Sequence, residues 1–232
     1  MAVFVLVHGA WGGGWCWQRV ARSLRQMGHE VYTPTLTGVG ERSHLLRAGI
    51  DLDTHIEDIL NVVRFEQLDR IILVGHSYGG TVITGVADAI PDKIASLIYL
   101  DAFIPENGQA LLDLVPQNPT QPGRALRQDA LAAPPIPAAA FSVNPKDAAF
   151  VDAMATPHPI ACFSQKAKLT GAHKRIGKRF YIYASVPSPT SFTPFYERVK
   201  NDPAWNVSTV PCGHMVMLDM PDRLVELLAA AT

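Results

Sequence analysis

Short, continuously apolar runs alternate along the chain with stretches whose apolar residues recur at helical spacing. "VFVLV" (3–7) predicts a buried strand. Residues 16–27 place Val20, Ala21, Leu24 and Met27 on one helical face, and Gly28 ends that helix. "EVYTP" (30–34) predicts a second strand, and Ile56, Ile59, Leu60 and Val63 mark a helix over 51–66. A strand at 70–75 ("RIILVG"), a helix at 78–90 that stops before Pro91 and a strand at 96–100 ("SLIYL") follow. The alternation resumes with "RFYIYA" (179–184), a helix over about 192–201, a strand near 205–210 and a last helix over 221–230, with Pro221 in its first turn. Continuous apolar strands separated by helices predict an α/β fold: a mostly parallel sheet of about six strands, flanked by helices on both faces.

Between residues 104 and 178 the pattern breaks. Ten of the eighteen prolines lie there, and no convincing apolar strand does; "AAPPIPAAAF" (132–141) is the densest part. A solvated linker usually lacks large apolar residues, whereas this stretch holds Leu111, Leu112, Leu114, Phe141, Phe150 and Phe163. The expectation is a small, partly helical cap (104–178) inserted into a core domain made of 1–103 and 179–232.

Composition narrows the classes. With 232 residues, 48% of them hydrophobic, the chain can bury one large core. A formal net charge of −1 argues against a nucleic-acid partner. No apolar run approaches the roughly 20 residues of a membrane helix, and "AVFVLVHG" reads as a strand rather than a secretory leader. The expectation is a cytoplasmic protein without a membrane partner. The cysteines, Cys16, Cys162 and Cys212, are odd in number and widely spaced, so no disulfide framework is expected. Cys212 and His214 lie two apart, but no second Cys/His pair at ligand spacing and no H-E-x-x-H accompanies them. Neither a metal nor a cofactor is expected.

The chemistry-bearing stretch is "VGHSYGG". It sits between a predicted strand and a predicted helix and contains Gly75-His76-Ser77-Tyr78-Gly79, a G-x-S-x-G match. A sharp strand-to-helix turn lifts the serine hydroxyl above the sheet and aims the Tyr78 amide, at the helix N-terminus, towards a developing negative charge. A general base belongs on a loop after the last strand that reaches back over the serine. Among eight histidines His214, in "PCGHMVMLDMP", has that place. His76 is expected to point away from the Ser77 face, and His8 to brace its loop.

On "VLVHGAWGGGWCW", "LVGHSYGG" and "GHMVMLDMPDRL" the chain resembles the α/β-hydrolase family that holds plant methylesterases, plant hydroxynitrile lyases and small bacterial esterases. The resemblance covers the sheet domain better than the cap. It implies the α/β-hydrolase fold and a second oxyanion amide from Ala10, after the first strand. It also implies a split by two positions. One type of lyase carries lysine where this chain has Met215, and another carries asparagine where it has Gly9; both residues here follow the esterase pattern. Trp11, Phe103 and Met215 are the candidate substrate-binding residues, and Leu111, Phe141, Phe150 and Phe163 suggest an apolar pocket. Pairing of two copies through the cap, a homodimer, is an expectation by analogy with the family.

The family's usual acid follows the strand 179–184, where this chain reads "SVPSP". Glu197 and Asp202 lie well past the strand end, and Asp219 follows the histidine. Asp101, in "IYLDAFIP", falls just beyond the strand 96–100, beside the elbow strand. One branch of the haloalkane dehalogenases, relatives on this fold, carries its acid there in a similar Tyr-x-acid-Ala context. The expectation is a serine carboxylic-ester hydrolase acting on a small, largely apolar ester through Ser77, His214 and Asp101. The alternatives are a hydroxynitrile lyase-type carbon–carbon lyase and a non-catalytic small-molecule-binding protein.

Overall fold

The computed structural model describes residues 1–115 and 130–232. Its strands are β1 (Val3–Val7), β2 (Glu30–Tyr32), β3 (Ile71–His76), β4 (Ile94–Leu100), β5 (Ala132–Ala133), β6 (His158–Pro159), β7 (Arg179–Ala184) and β8 (Asn206–Val210). Its helices are α1 (Gln18–Gln26), α2 (Leu52–Phe65), α3 (Gly79–Ala89), α4 (Leu111–Leu114), α5 (Pro145–Met154), α6 (Ala161–Ser164), α7 (Thr193–Val199), α8 (Val216–Asp219) and α9 (Pro221–Ala229). Among the described residues, no helix is long and apolar enough to cross a membrane.

Six strands form one sheet in the order β2-β1-β3-β4-β7-β8, with each adjacent pair parallel. Alternate side chains enter two separate cores, which is why the strand sequences are apolar without a break. Val5, Leu73, Tyr99 and Tyr181 face one core with Ile59 and Val63 of α2, Val82 and Val86 of α3 and Phe195 of α7. Phe4, Leu6, Ile72, Val74 and Ile182 face the other with Val20 and Leu24 of α1 and Leu224 and Leu228 of α9. The sequence pattern misses two details. Residues Gly14–Trp17 form a 3-10 turn ahead of α1, and α8 precedes the last helix. The second strand stops at Tyr32, before Pro34, which has no N–H to contribute to a ladder.

The stretch between β4 and β7 holds the small antiparallel pair β5–β6, with Ala133 opposite His158, and the short helices α4, α5 and α6. Several contacts tie it to the core. Arg19 on α1 forks onto the Asp147 carboxylate at 2.6 and 2.8 Å and also donates to the Leu218 carbonyl at 2.7 Å. The Arg19 hydrogen bonds hold the Asp147 carboxyl down at about 2. Asp88, at the end of α3, accepts the backbone N–H groups of Thr170, Gly171 and His173.

α3 lies close enough to the loop after β4 that only glycine fits at position 80. A Cβ there would stand 2.2 Å from the Phe103 carbonyl oxygen and 2.9 Å from the Ala102 Cβ. Gly80→Ala is expected to cost about 1–3 kcal/mol, the usual penalty of overpacking. A Cβ on Gly177 meets nothing within 4 Å, so Gly177→Ala is expected to stay within about 0.5 kcal/mol of the parent. Thermal melts of the two variants test this; equal melting temperatures would contradict the packing account.

Candidate active site

Parallel strands bring their C-terminal ends to one edge of the sheet, and the loops leaving β1, β3, β4 and β8 meet there. His76 pairs with Leu100 in the β3–β4 register, so the residues that follow, Ser77 and Asp101, leave adjacent strands side by side. The Ser77 N–H donates to the Leu100 carbonyl at 3.3 Å, and the Ser77 carbonyl accepts from Gly80 and Phe103. These bonds hold Ser77 at φ 55°, a left-handed conformation that costs a non-glycine residue free energy. The strained turn is the one the G-x-S-x-G spacing demands.

The His214 Nδ1–H donates to Asp101 Oδ2 at 2.7 Å. That bond fixes the tautomer and leaves Nε2 without a proton. Asp101 is buried, also at positive φ (41°), and its second oxygen accepts the Ala184 N–H at 3.2 Å. Burial pushes the Asp101 carboxyl well above its ordinary value, and the Ala184 hydrogen bond pulls it back. Burial also lowers His214 below the ordinary imidazole value. The Phe192 ring stacks on the His214 imidazole at 4.5 Å, inclined by 10°. His76 lies against it too, at 4.3 Å between ring centres, and donates from Nε2 to the His214 carbonyl at 3.0 Å.

Ser77 and His214 share a narrow cleft with Gly9, Ala10, Trp11, His76, Phe141 and Met215. Among the described residues, neither the Ala10 nor the Tyr78 amide has a hydrogen-bond partner. His8 braces the loop between them: Nδ1–H donates to the Gly9 carbonyl at 2.7 Å and Nε2 accepts the Leu36 N–H at 3.1 Å. Burial holds its pKa down at about 4, so the ring stays neutral.

A sequence profile described as the alpha/beta hydrolase family matches residues 4–227. The chain belongs to that family. It is 45% identical to a carbendazim hydrolyzing esterase from Nocardioides sp. (strain SG-4G), over 99% of both chains. It is 28% identical to methylesterase 4 of Arabidopsis thaliana, over 97% of this chain and 94% of the relative. Among solved structures, an extracellular alpha/beta-hydrolase from a Paenibacillus species superposes with a TM-score of 0.85 at 25% identity, over 100% of this chain and 99% of that one. This alpha/beta hydrolase is an esterase-type hydrolase.

Not every residue singled out in the sequence reaches the cleft of this hydrolase. Trp11, Met215 and Phe141 line it. Phe103 does not, because the chain turns back over α3 after Asp101 and packs the ring against Phe192 and Phe195. Leu111 is in the core, Phe163 stacks on His158 and Phe150 is exposed beside Trp15. His76 was expected to point away from Ser77, but its ring enters the cleft because the side chain leaves the strand end between Gly9 and His214. Phe192 was missed altogether; the signal was its place at the end of the loop that lacks the acid. Ser188 turns to the Tyr183 hydroxyl at 3.2 Å, not to His214. Glu197 pairs with Lys200, Asp202 caps Ala204, and Asp219 accepts from Asn144, so all three are engaged elsewhere.

His55, His158 and Cys162 bring three metal-ligand atom types within 4.8 Å of one another. Three of the four ring nitrogens are already hydrogen-bonded, and His158 Nε2 is not. His55 donates from Nε2 to the Thr37 carbonyl and accepts the Tyr78 hydroxyl at Nδ1, while His158 accepts the Trp11 N–H at Nδ1. The group serves as a hydrogen-bonded brace, in which Cys162 Sγ also lies 3.5 Å from His55 Nδ1.

A carboxylate beside Nδ1 favours the imidazolium, so removing it lowers the histidine pKa. Asp101→Asn is therefore expected to shift the acid limb of the pH–rate profile to lower pH. Its plateau should fall by up to about 10⁴-fold, because an amide N–H opposite Nδ1 selects the wrong tautomer. Glu197→Gln and Asp202→Asn are expected to stay within about twofold of the parent, as exposed changes do. Rate profiles of the three variants on one ester decide; full activity of Asp101→Asn would place the acid elsewhere.

Proposed function

We propose that this protein is a serine carboxylic-ester hydrolase for small, largely apolar esters. Ser77 Oγ attacks the ester carbonyl and His214 Nε2 takes its proton. Asp101 stabilises the imidazolium that forms, and the amides of Ala10 and Tyr78 hold the oxyanion. His214 returns the proton to the departing alcohol; water, activated by the same nitrogen, then frees the acyl group. The observation that carries this reading is the 2.7 Å hydrogen bond from His214 to Asp101 at the edge where Ser77 emerges. No hydrogen bond joins Ser77 Oγ to His214, and such contacts commonly tighten only with substrate in place.

The substrate class follows from the walls. Trp11, Trp15, Ile136, Phe141, Val151 and Met215 are apolar and suit a flat or aliphatic group. The 45% identical relative is a carbendazim hydrolyzing esterase, which supports ester-type hydrolysis of a small molecule. Ester hydrolysis is favoured over cyanohydrin cleavage at the two discriminating positions. A Cβ on Gly9 would stand 2.9 Å from both His76 Nδ1 and Ser77 Cβ, which leaves no room for an asparagine. Met215, buried at the cleft, supplies no cation for cyanide. The cytoplasm suits a protein whose cysteines, Cys16, Cys162 and Cys212, are all free and buried.

Ser77→Ala is expected to reduce hydrolysis of p-nitrophenyl acetate by at least about 10³-fold with the fold intact, since removing the nucleophile of such a unit costs nearly all its catalysis. Activity surviving within about tenfold would sink the reading. Met215→Lys is expected to release no cyanide from mandelonitrile; efficient release by it or by the parent would favour the lyase.

A further inference from the structure

Trp11 follows the Ala10 amide directly and is held by an unusual set of bonds. Gly9 to Gly12 form a tight turn closed by the Gly12 N–H on the Gly9 carbonyl at 3.4 Å. Trp11 is its third residue, with φ 61°, a value that turns normally assign to glycine. A tryptophan stays there only if its surroundings over-determine it. They do so at three atoms. The Trp11 N–H donates to His158 Nδ1 at 3.3 Å, its carbonyl accepts the Thr156 N–H at 3.0 Å, and its indole Nε1–H donates to the Ala133 carbonyl at 3.1 Å. All three partners lie in the stretch between β4 and β7. Two of them, Ala133 and His158, face each other across the β5–β6 pair. The small hairpin is a clasp on the turn.

His158 is the centre of that clasp. It is fully buried, and its ring stacks on Phe163 at 4.6 Å and 1°. Its edge meets the Tyr78 ring at 4.8 Å. Because Nδ1 accepts an N–H, the ring is neutral and carries its proton on Nε2. That proton has no hydrogen-bond partner among the described residues, so the ring is not kept for a second polar contact. Burial lowers the His158 pKa well below its ordinary value and keeps the acceptor available. One side chain therefore touches the residue after Ala10 and the ring of Tyr78, whose two amides are the proposed oxyanion donors.

We propose that His158 is a positioning residue for the oxyanion loop, coupling the seating of the β5–β6 pair to the geometry of the Ala10 and Tyr78 amides. The inference rests on the ester-hydrolase reading. Without the Nδ1 acceptor, the Ala10–Trp11 peptide loses the bond that restrains its N–H, the strain at Trp11 is opposed by two bonds instead of three, and the Ala10 amide is held less firmly. An oxyanion donor acts only where it is preorganised. The loss should therefore fall on the transition state rather than on ground-state binding.

His158→Phe keeps a flat ring on Phe163 but removes the acceptor; His158→Asn places a carbonyl oxygen near the Nδ1 position. On p-nitrophenyl acetate, His158→Phe is expected to lower kcat about 10- to 100-fold, less than the 10²–10³ of deleting a donor outright, with KM within about threefold. Affinity for a trifluoromethyl ketone, whose hemiketal oxyanion occupies the same site, should fall by the same factor, because both report transition-state stabilisation. His158→Asn should recover most of both losses. Should the Phe variant not fold, as judged by circular dichroism and melting temperature, His158→Met supplies the same test. Unchanged kcat in a folded acceptor-less variant overturns the proposal. So does an equal loss in the Asn variant, or a loss confined to KM with analogue affinity intact. Failure of the ester-hydrolase reading looks different: the parent itself, or Ser77→Ala, would break the expected pattern.

Discussion

The site depends on one buried hydrogen bond, from His214 Nδ1–H to Asp101 Oδ2. Both groups are almost sealed from water, at 9% and 1% side-chain exposure, so neither gains much from solvation, and each needs the other. Removing one partner of such a pair leaves a buried polar group unsatisfied, which costs more than the bond contributes net. The bond also imposes a constraint on the fold. Its acceptor leaves β4, its donor arrives after β8, and β7 lies between them. The carboxylate therefore crosses the end of β7, and the Ala184 N–H at that strand end meets it on the way. A parallel sheet in this strand order is what makes the crossing short.

The same edge concentrates backbone strain. Ser77, Asp101 and Trp11 all have positive φ, each at a cost of order 1–3 kcal/mol. The sheet behind them, packed on both faces, has the rigidity to impose these conformations. Ser77 and Asp101 are held from within the sheet, through the carbonyls of Leu100 and Ile182. Trp11 is held from the other side, through the stretch between β4 and β7. Two supports of different origin meet at one cleft. The sheet fixes Ser77 and Asp101, while the stretch between β4 and β7 fixes one wall, the turn that carries Ala10 and, through the Phe141 carbonyl, the His214 N–H.

Much of this was legible in the sequence because it is enforced locally. Buried parallel strands must be apolar without interruption, so the main sheet strands stood out, and the strained elbow requires glycines beside Ser77. Asp101 was legible by position: it is the residue after β4, and the loop after β7 offers no carboxylate. What sequence could not give was direction within the crowded edge. Phe103 is two residues from Asp101, yet the backbone reverses there and buries it against Phe192 and Phe195. His76 precedes the serine and was assigned away from it, but the gap between Gly9 and His214 admits its ring. The proline-rich stretch 104–178 carries no periodicity to read. Its contacts on Trp11 are set by packing between residues more than a hundred positions apart.

The loop "SVPSPTSF" is best understood through what the shifted acid permits. A carboxylate after β7 would place a charge and its water near the imidazole from that side. With Asp101 placed after β4 instead, the loop ends on Phe192, whose ring stacks on His214, while Ser188 and the neighbouring Thr193 turn inward to the Tyr183 hydroxyl. In the proposed mechanism an imidazolium forms as Ser77 loses its proton, and burial disfavours it. An aromatic face opposes that cost, since its quadrupole attracts a cation, by roughly 0.5–2 kcal/mol depending on desolvation. The Asp101 carboxylate opposes it more strongly from the Nδ1 edge. Charge from the edge and polarisable surface on the face divide the task that burial creates. The empty acid slot is thus part of the site, occupied by a ring.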